Sequence, residues 1–461
     1  MPDFDLICIG GGPGGQKAAI QAAELGKRVA LIDDGPGPGG ASVHLGTVPS
    51  KTLQEISRFL HRLKKESQQG LGVYAPRRFS LGQLLARSGV VIGIEEDLAE
   101  EQLLDLGVKV FQGHGSLAGP QSVEYRGRTT EVWQTQFVLL ATGSRPRRPP
   151  DVPFLEGRIY DSNELLAIKR MPDRLCVVGA GIIGCEYASI FAGLGTEVHL
   201  FELADRILGQ VDLTISQTLM DAMRLSGVQI HLNDSVASYT SKEDSIELTS
   251  TRGESLSVDQ VLISKGRLGN VEGLNLSAAG LEASDRGVIA VDSRYQTAVP
   301  SIFAVGDVIG PPGLSSSSMV QGMYAARAMF KGEEPRFTRE NMPVAIWTMP
   351  EVAMIGPTEE ELKGQNIAYG LGTATFESNT RSLMTGETRG LIKLLFSLDN
   401  RRLLAVHICS DKATELLAFG QAVLALQGTI DFFIEQIFNY PTLSGVYRSA
   451  ALDALRRHPL S

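Results

Sequence analysis

Twice in this chain a short apolar run is followed by glycines at fixed spacing, a helical pattern, a second apolar run and then an acid. The first copy is Leu6-Ile7-Cys8-Ile9, then Gly10, Gly12 and Gly15 as G-x-G-x-x-G, then Gln16 to Leu25, then Arg28 to Ile32 ending in Asp33. The second is Leu175 to Val178, then Gly179, Gly181 and Gly184, then Cys185 to Leu194, then Val198 to Phe201 ending in Glu202. This order reads as strand, turn, helix and strand, and it leaves few folds open. The three glycines permit a tight turn, a close backbone approach to a pyrophosphate and close helix-on-sheet packing. The helix N-terminus presents unpaired N–H groups to the phosphates, and the acid accepts hydrogen bonds from ribose hydroxyls. A carboxylate there repels a 2′-phosphate, so Glu202 favours NAD(H) over NADP(H), with Arg206 near enough to soften that preference. Two such folds predict two dinucleotides, a bound flavin (FAD) and a diffusible nicotinamide.

At 461 residues the chain is expected to divide into about three domains. A net charge of −9 argues against nucleic acid or an anionic membrane surface as the main partner. No apolar run has the length of a membrane span and no signal peptide precedes the first strand, so the expected compartment is the cytoplasm. Cys8, Cys176 and Cys409 fall in apolar strands and Cys185 at a helix start. None has C-x-x-C or metal-ligand spacing, so inert buried thiols and no metal site are expected.

Helical spacing of Leu53, Ile56, Phe59, Leu60 and Leu63 predicts a helix over 51–66, with Pro49 just ahead of it, and residues 80–105 predict a second helical region. Strand-like residues run to Thr135, and Phe137 to Leu140 lead into the small turn Ala141-Thr142-Gly143. Arg145 to Pro153 is rich in proline and arginine and reads as a linker. Val258 to Gly266 and Ser301 to Asp307 again run from strand to glycine, the latter closing on Gly306 and Asp307. From about residue 340 the pattern changes to an α+β unit.

The order of these motifs resembles the flavoprotein disulfide reductase family along essentially the whole chain. The resemblance rests on the segments 10–15, 39–51, 141–146, 179–186, 266–267, 304–307 and 439–442. It implies an α/β protein with two Rossmann-like dinucleotide-binding domains, for FAD and NAD(P), and a C-terminal α+β dimerisation domain. The FAD part would be split over 1–150 and 273–340, the NAD(P) part would span 151–272 and the dimerisation part 341–461, in a homodimer.

Both motifs that carry the family's thiol chemistry are altered. Where the family has two cysteines five residues apart before Pro-Ser-Lys, this chain has Ser42 and Thr47 before Pro49-Ser50-Lys51. Where it has His-Pro-Thr with a following glutamate, this chain has Tyr440-Pro441-Thr442 and Gly445. Hydroxyls form no redox couple; a disulfide exchanges electrons because an accessible thiolate attacks sulfur. The chain is most similar to the soluble pyridine nucleotide transhydrogenase branch, matching it at His44, 46–51, 158–162, 184–191 and 438–442. It departs from that branch in lacking a cysteine at position 42.

The resemblance implies that Lys51 and Glu186 pair beside the reactive flavin nitrogen, that Asp307 meets the flavin ribityl or phosphate region, and that Asp33 holds the adenosine ribose. Gly143 and Gly266 would give backbone contacts, and Gly115, Ala141, Thr142, Gly306 and Val236 complete the expected cofactor contacts. His44 is a candidate acid–base group near the flavin or else a packed, hydrogen-bonded histidine. Tyr440 either covers the site across a dimer interface or packs in a core. Three functions follow: hydride passed from nicotinamide to flavin to a second nicotinamide, an NAD(P)H:quinone reductase, or a flavin- and NAD-binding sensor without catalysis.

Overall fold

The computed structural model describes residues 2–68, 81–168, 170–335 and 342–459. The strand Phe4–Ile9 runs parallel to neighbours on both sides, with Ile7 opposite Ala30 on one and Val138 on the other. Leu6, Ile7 and Cys8 have no exposed surface. A strand covered on both faces needs a continuous apolar run rather than alternation, which is what this segment supplies. It belongs to a seven-stranded sheet, six strands of which follow in the order 109–112, 29–33, 4–9, 130–140, 122–126, 114–119.

The long strand Thr130–Leu140 pairs antiparallel with Ser122–Arg126 through its first half and parallel with Phe4–Ile9 through its second. Its far edge takes Ile302–Ala304 in parallel, Ile302 opposite Val138 and Ala304 opposite Leu140. A strand from late in the chain thereby joins the first sheet, and the turns after both strands end up hydrogen-bonded together.

The second glycine turn serves a five-stranded parallel sheet ordered 228–232, 197–202, 174–178, 260–263, 159–161, with a three-stranded antiparallel sheet beside it in the chain. Residues from Val344 form a five-stranded antiparallel sheet with the helices Ala413–Ala425 and Gly445–Arg457. A buried ion cluster ties the second unit to this third one. Lys393 Nζ lies 2.9 Å from Asp212 and 2.5 Å from Glu359, and Lys393 and Asp212 are almost wholly buried.

Several expectations shift. The helix carrying Lys51 spans Thr47–Gln68, so Pro49 stands inside its first turn rather than ahead of it. Proline is tolerated there because the first N–H groups of a helix have no partner within it. The segment after Gly143 is not a free linker at its start: Ser144–Pro146 pairs antiparallel with Arg267–Gly269. The boundary expected at 340–341 lies outside the described residues. All four cysteines are fully buried in strands or a helix, and burial pushes each thiol well above its ordinary range. Among the described residues no helix is long and apolar enough to cross a membrane.

Candidate active site

One cavity of 1670 Å³ runs past both glycine turns. From the first unit Gly10, Gly12, Asp33, Gly115, Ala141, Thr142 and Gly143 face it, and Gly306 and Asp307 join them from the late strand. From the second unit come Gly181, Glu186 and Gly266. His44 and Lys51 complete the expected residues on its wall.

The three glycines of each turn have different surroundings. Gly10 has φ +106°, and a Cβ there would sit 2.4 Å from the Ala141 carbonyl oxygen, so backbone packs on backbone. A Cβ on Gly15 would lie 1.9 Å from the Gly10 oxygen, and one on Gly184 1.8 Å from the Gly179 oxygen. These third glycines let the helix close onto the strand and do not line the cavity, nor does Gly179. The middle glycines are the reverse case. A Cβ on Gly12 would meet nothing nearer than 3.9 Å and one on Gly181 nothing within 4 Å, yet both border the cavity at the N-cap of their helix. Only there would a side chain occupy open cradle, which is the fit a dinucleotide pyrophosphate requires.

Both acids are held by their own turns. Asp33 accepts the Gly11 N–H and, at 2.6 Å, the Gly35 N–H. Glu202 accepts the Ala180 N–H at 2.7 Å and the Ala204 N–H at 3.0 Å. The two copies therefore use the same bond, from the residue after the first glycine to the acid 22 positions on. A carboxylate has about four acceptor sites, so each acid keeps capacity for ribose hydroxyls. Burial raises Asp33 above the usual carboxylate range, against the lowering effect of those amides. Glu202 itself does not line the cavity. Arg206 is engaged elsewhere, donating to Glu360 at 3.0 Å and to the Gly209 carbonyl at 2.7 Å. Val236 is likewise off the cavity wall, its side chain buried in the core that includes Val178, Phe201 and Ile246.

Lys51 Nζ lies 2.6 Å from Glu186 Oε2, and the other Glu186 oxygen accepts the Trp347 N–H at 2.8 Å. Glu186 is only 4% exposed, so both oxygens need such partners. This places a fixed cation on the cavity wall. Asp307 accepts from Ser144 Oγ at 2.5 Å, and Ser144 in turn accepts from Arg267 Nε at 2.7 Å. Thr142 and Asn270 exchange hydrogen bonds of 2.6 and 2.9 Å, which fixes the turn after the long strand.

His44 has one ring nitrogen 3.1 Å from the Gly37 carbonyl oxygen and the other 3.3 Å from Glu96. Both nitrogens therefore meet protein groups, and the residue ties the short helix Gly40–His44 to the helix Leu81–Asp105. Ser42 and Thr47 are linked through Ser315, whose hydroxyl donates to Ser42 Oγ at 2.9 Å and lies 3.3 Å from Thr47 Oγ1. Tyr440 is 82% exposed, which removes the core-packing alternative; its hydroxyl lies 2.9 Å from that of Thr380. Sequence reasoning did not find Ser315, Glu96 or Trp347. The run of four serines from Ser315 was the one visible signal among them.

A family model described as pyridine nucleotide-disulphide oxidoreductase matches residues 4–332, and the dimerisation domain of the same family matches 342–451. The chain is 40% identical over 460 residues to a soluble pyridine nucleotide transhydrogenase of Mycobacterium bovis, spanning 99% of this chain and 98% of that one. It is 38% identical to the transhydrogenase of Hahella chejuensis, spanning 98% of each. Among solved structures it superposes on LpdA from Mycobacterium tuberculosis with a TM-score of 0.89 at 26% identity, covering 97% of this chain and 99% of that one. The HOCl-induced flavoprotein disulfide reductase RclA from Escherichia coli gives 0.87 at 25% identity, with the same coverage. The chain belongs to the pyridine nucleotide-disulphide oxidoreductase family, FAD-dependent oxidoreductases that work with a pyridine nucleotide.

Proposed function

We propose that this chain passes hydride from one pyridine nucleotide to another through FAD, without a redox disulfide. The observation that carries the reading is a single cavity that joins both glycine cradles and the Lys51–Glu186 pair, and has hydroxyls where the family keeps its sulfurs. The four thiols of the chain are buried in strand and helix packing and take no part. When bound, the flavin supplies a two-electron carrier that accepts and returns hydride. The protein's part is position and charge. Gly12 and Gly181 leave room for the two pyrophosphates, and Asp33 and Glu202 take ribose hydroxyls. Ala141, Thr142, Gly143, Gly306 and Asp307 shape the flavin end, with Gly115 and Gly266 as backbone contacts.

Lys51 is a preorganised cation at the place where negative charge grows on reduction, and Glu186 holds it there. His44, bridging the Gly37 carbonyl and Glu96, acts as a positioning residue for the segment Gly40–His44. NAD(H) is the preferred nucleotide, because Glu202 opposes a 2′-phosphate and Arg206 is committed to Glu360 and Gly209. FAD would occupy 1–150 with 273–340, the nicotinamide nucleotide 151–272, and residues 341–461 would form the homodimer contact. The exposure of Ile437 (96%) and Leu426 (83%) in that last part supports a second copy covering it.

The names of the transhydrogenase relatives support the same chemistry. It is tested by incubating the FAD-loaded protein with NADH and an oxidised thionicotinamide analogue and following the absorbance of the reduced analogue. One reduced analogue for each NADH oxidised is expected. Oxidation of NADH with no reduced analogue formed would refute the shuttle.

A further inference from the structure

The short helix Glu359–Gly364 of the C-terminal unit opens with three glutamates that face different partners. Glu359 joins the buried cluster, with Lys393 at 2.5 Å, Lys363 at 2.8 Å and the Tyr369 hydroxyl at 2.8 Å. Glu361 closes a capping box: its carboxylate accepts the Thr358 N–H at 2.8 Å, and its own N–H donates to the Thr358 hydroxyl at 3.2 Å. Both are taken up by packing. Glu360 instead reaches into the second unit, where Arg206 Nη1 lies 3.0 Å from its Oε1.

Arg206 stands four positions after Glu202, in the turn that carries the expected ribose acid. That turn is pinned to the second glycine cradle at two points. The Leu208 N–H donates to the Ala180 carbonyl at 2.9 Å, and the Ala180 N–H donates to Glu202 at 2.7 Å. A guanidinium in this turn is placed to meet a 2′-phosphate on the ribose. The opposing acid is fixed as well, because the Glu359 N–H donates to Asp212 at 3.3 Å and holds its helix against the second unit. The ion pair itself is open to water, with Arg206 29% and Glu360 41% exposed, so it is weak and exchangeable. A phosphate carries close to two charges and matches the guanidinium fork, so it competes well for the same group.

We propose that Glu360 sets the nucleotide preference from outside the nucleotide unit, by holding Arg206 when NAD(H) is bound and yielding it to the 2′-phosphate of NADP(H). The proposal rests on the assignment of the second cradle to the nicotinamide nucleotide, and deepens it by naming a residue that tunes which nucleotide enters. Glu202 repels the phosphate in every state; Arg206 counters that repulsion only after leaving Glu360. Preference is then a competition of two anions for one cation. A shuttle between NAD(H) and NADP(H) has to admit both at one cradle, and an exchangeable partner for Arg206 allows it.

The test titrates the full-length FAD-loaded protein with NAD+ and with NADP+ and reads the ratio of the two dissociation constants. Glu360→Gln should shift the ratio toward NADP+ by about fivefold, the upper end of what an exposed ion pair holds. Arg206→Ala should shift it the other way by about tenfold, the loss of a charge-assisted contact to phosphate. Adding Glu360→Gln to Arg206→Ala should then change nothing further. An unchanged ratio in Glu360→Gln overturns the proposal. So does a shift that persists without Arg206, since it would come from the field of a lost charge and not from the released guanidinium. Native-like binding of both nucleotides by Gly181→Val would instead overturn the assignment of the cradle beneath it.

Discussion

Gly181→Val and Gly184→Ala lie three residues apart and should fail in opposite ways. Gly181 has φ −73° and ψ −170°, a conformation any L-residue adopts, and a Cβ on it meets no atom within 4 Å. The fold should therefore tolerate valine within about 1 kcal/mol, since losing a glycine at a compatible position reduces the freedom of the unfolded chain. The two methyls instead fill the space that a pyrophosphate needs. Losing two hydrogen bonds from backbone N–H to a charged group, at about 1.5–3 kcal/mol each, weakens nucleotide binding by about 3–6 kcal/mol, or roughly a hundredfold to ten-thousandfold. At Gly184 even alanine puts a carbon 1.8 Å from the Gly179 oxygen. Backbone has to move, and the cost is at least the 1–3 kcal/mol typical of overpacking. Thermal unfolding and NADH titration of both purified variants check this. Gly181→Val should melt like the native protein, retain FAD and bind NADH at least a hundredfold more weakly; Gly184→Ala should melt several degrees lower. Tight NADH binding by Gly181→Val, or loss of its FAD, would refute the assignment of this turn to the nicotinamide nucleotide.

Glu202→Ala should raise the apparent KM for NADH about tenfold and improve NADPH relative to NADH, read from initial rates with each nucleotide; unchanged NADH affinity would remove the acid from the ribose site. Glu186→Gln keeps the acceptor for the Trp347 N–H but leaves Lys51 without a counter-charge, so flavin reduction by NADH should slow by tenfold or more while the melting temperature moves little. The Lys393 cluster predicts acid sensitivity. Burial alone would raise Glu359, but hydrogen bonds from Lys363, Lys393 and Tyr369 bring it down to about 2. Asp212, despite its burial, also lies below its ordinary value, through His407 and Lys393. Groups depressed in the folded state stabilise it fully above their unfolded pKa near 4 and lose that contribution as pH falls toward 2. Stability measured by denaturant from pH 6 to 3 should drop, with a shallower drop in Glu359→Gln, whose starting stability is lower.

Much of this fold is legible because its signals are local. The strand–glycine–helix–strand–acid order is read within about 25 residues, and each acid stands 22 positions from the amide it accepts. The partners missed by sequence reading are remote. Ser315 bonds Ser42 across 273 positions, and Trp347 bonds Glu186 across 161. No periodicity reports such pairs, because they depend on how three sheets are brought together. The surroundings of Val236 are hidden for a related reason: a valine beginning a strand looks the same in sequence whatever packs on its side chain, here Val178, Phe201 and Ile246. Arg145 to Pro153 looked like a linker because proline and arginine are common in linkers, yet the pairing of Ser144–Pro146 with Arg267–Gly269 is non-local. His44 had two readings until Glu96, from a helix fifty residues on, appeared at its second nitrogen.

The most direct measurement is anaerobic stopped-flow of the FAD-loaded protein, first against NADH and then, once reduced, against an oxidised nicotinamide. The account predicts bleaching of the flavin absorbance by NADH and its rapid return with the second nucleotide, no slower than turnover, and no oxidation by lipoamide. A flavin that NADH leaves yellow, or a reduced flavin that only lipoamide reoxidises, would contradict it.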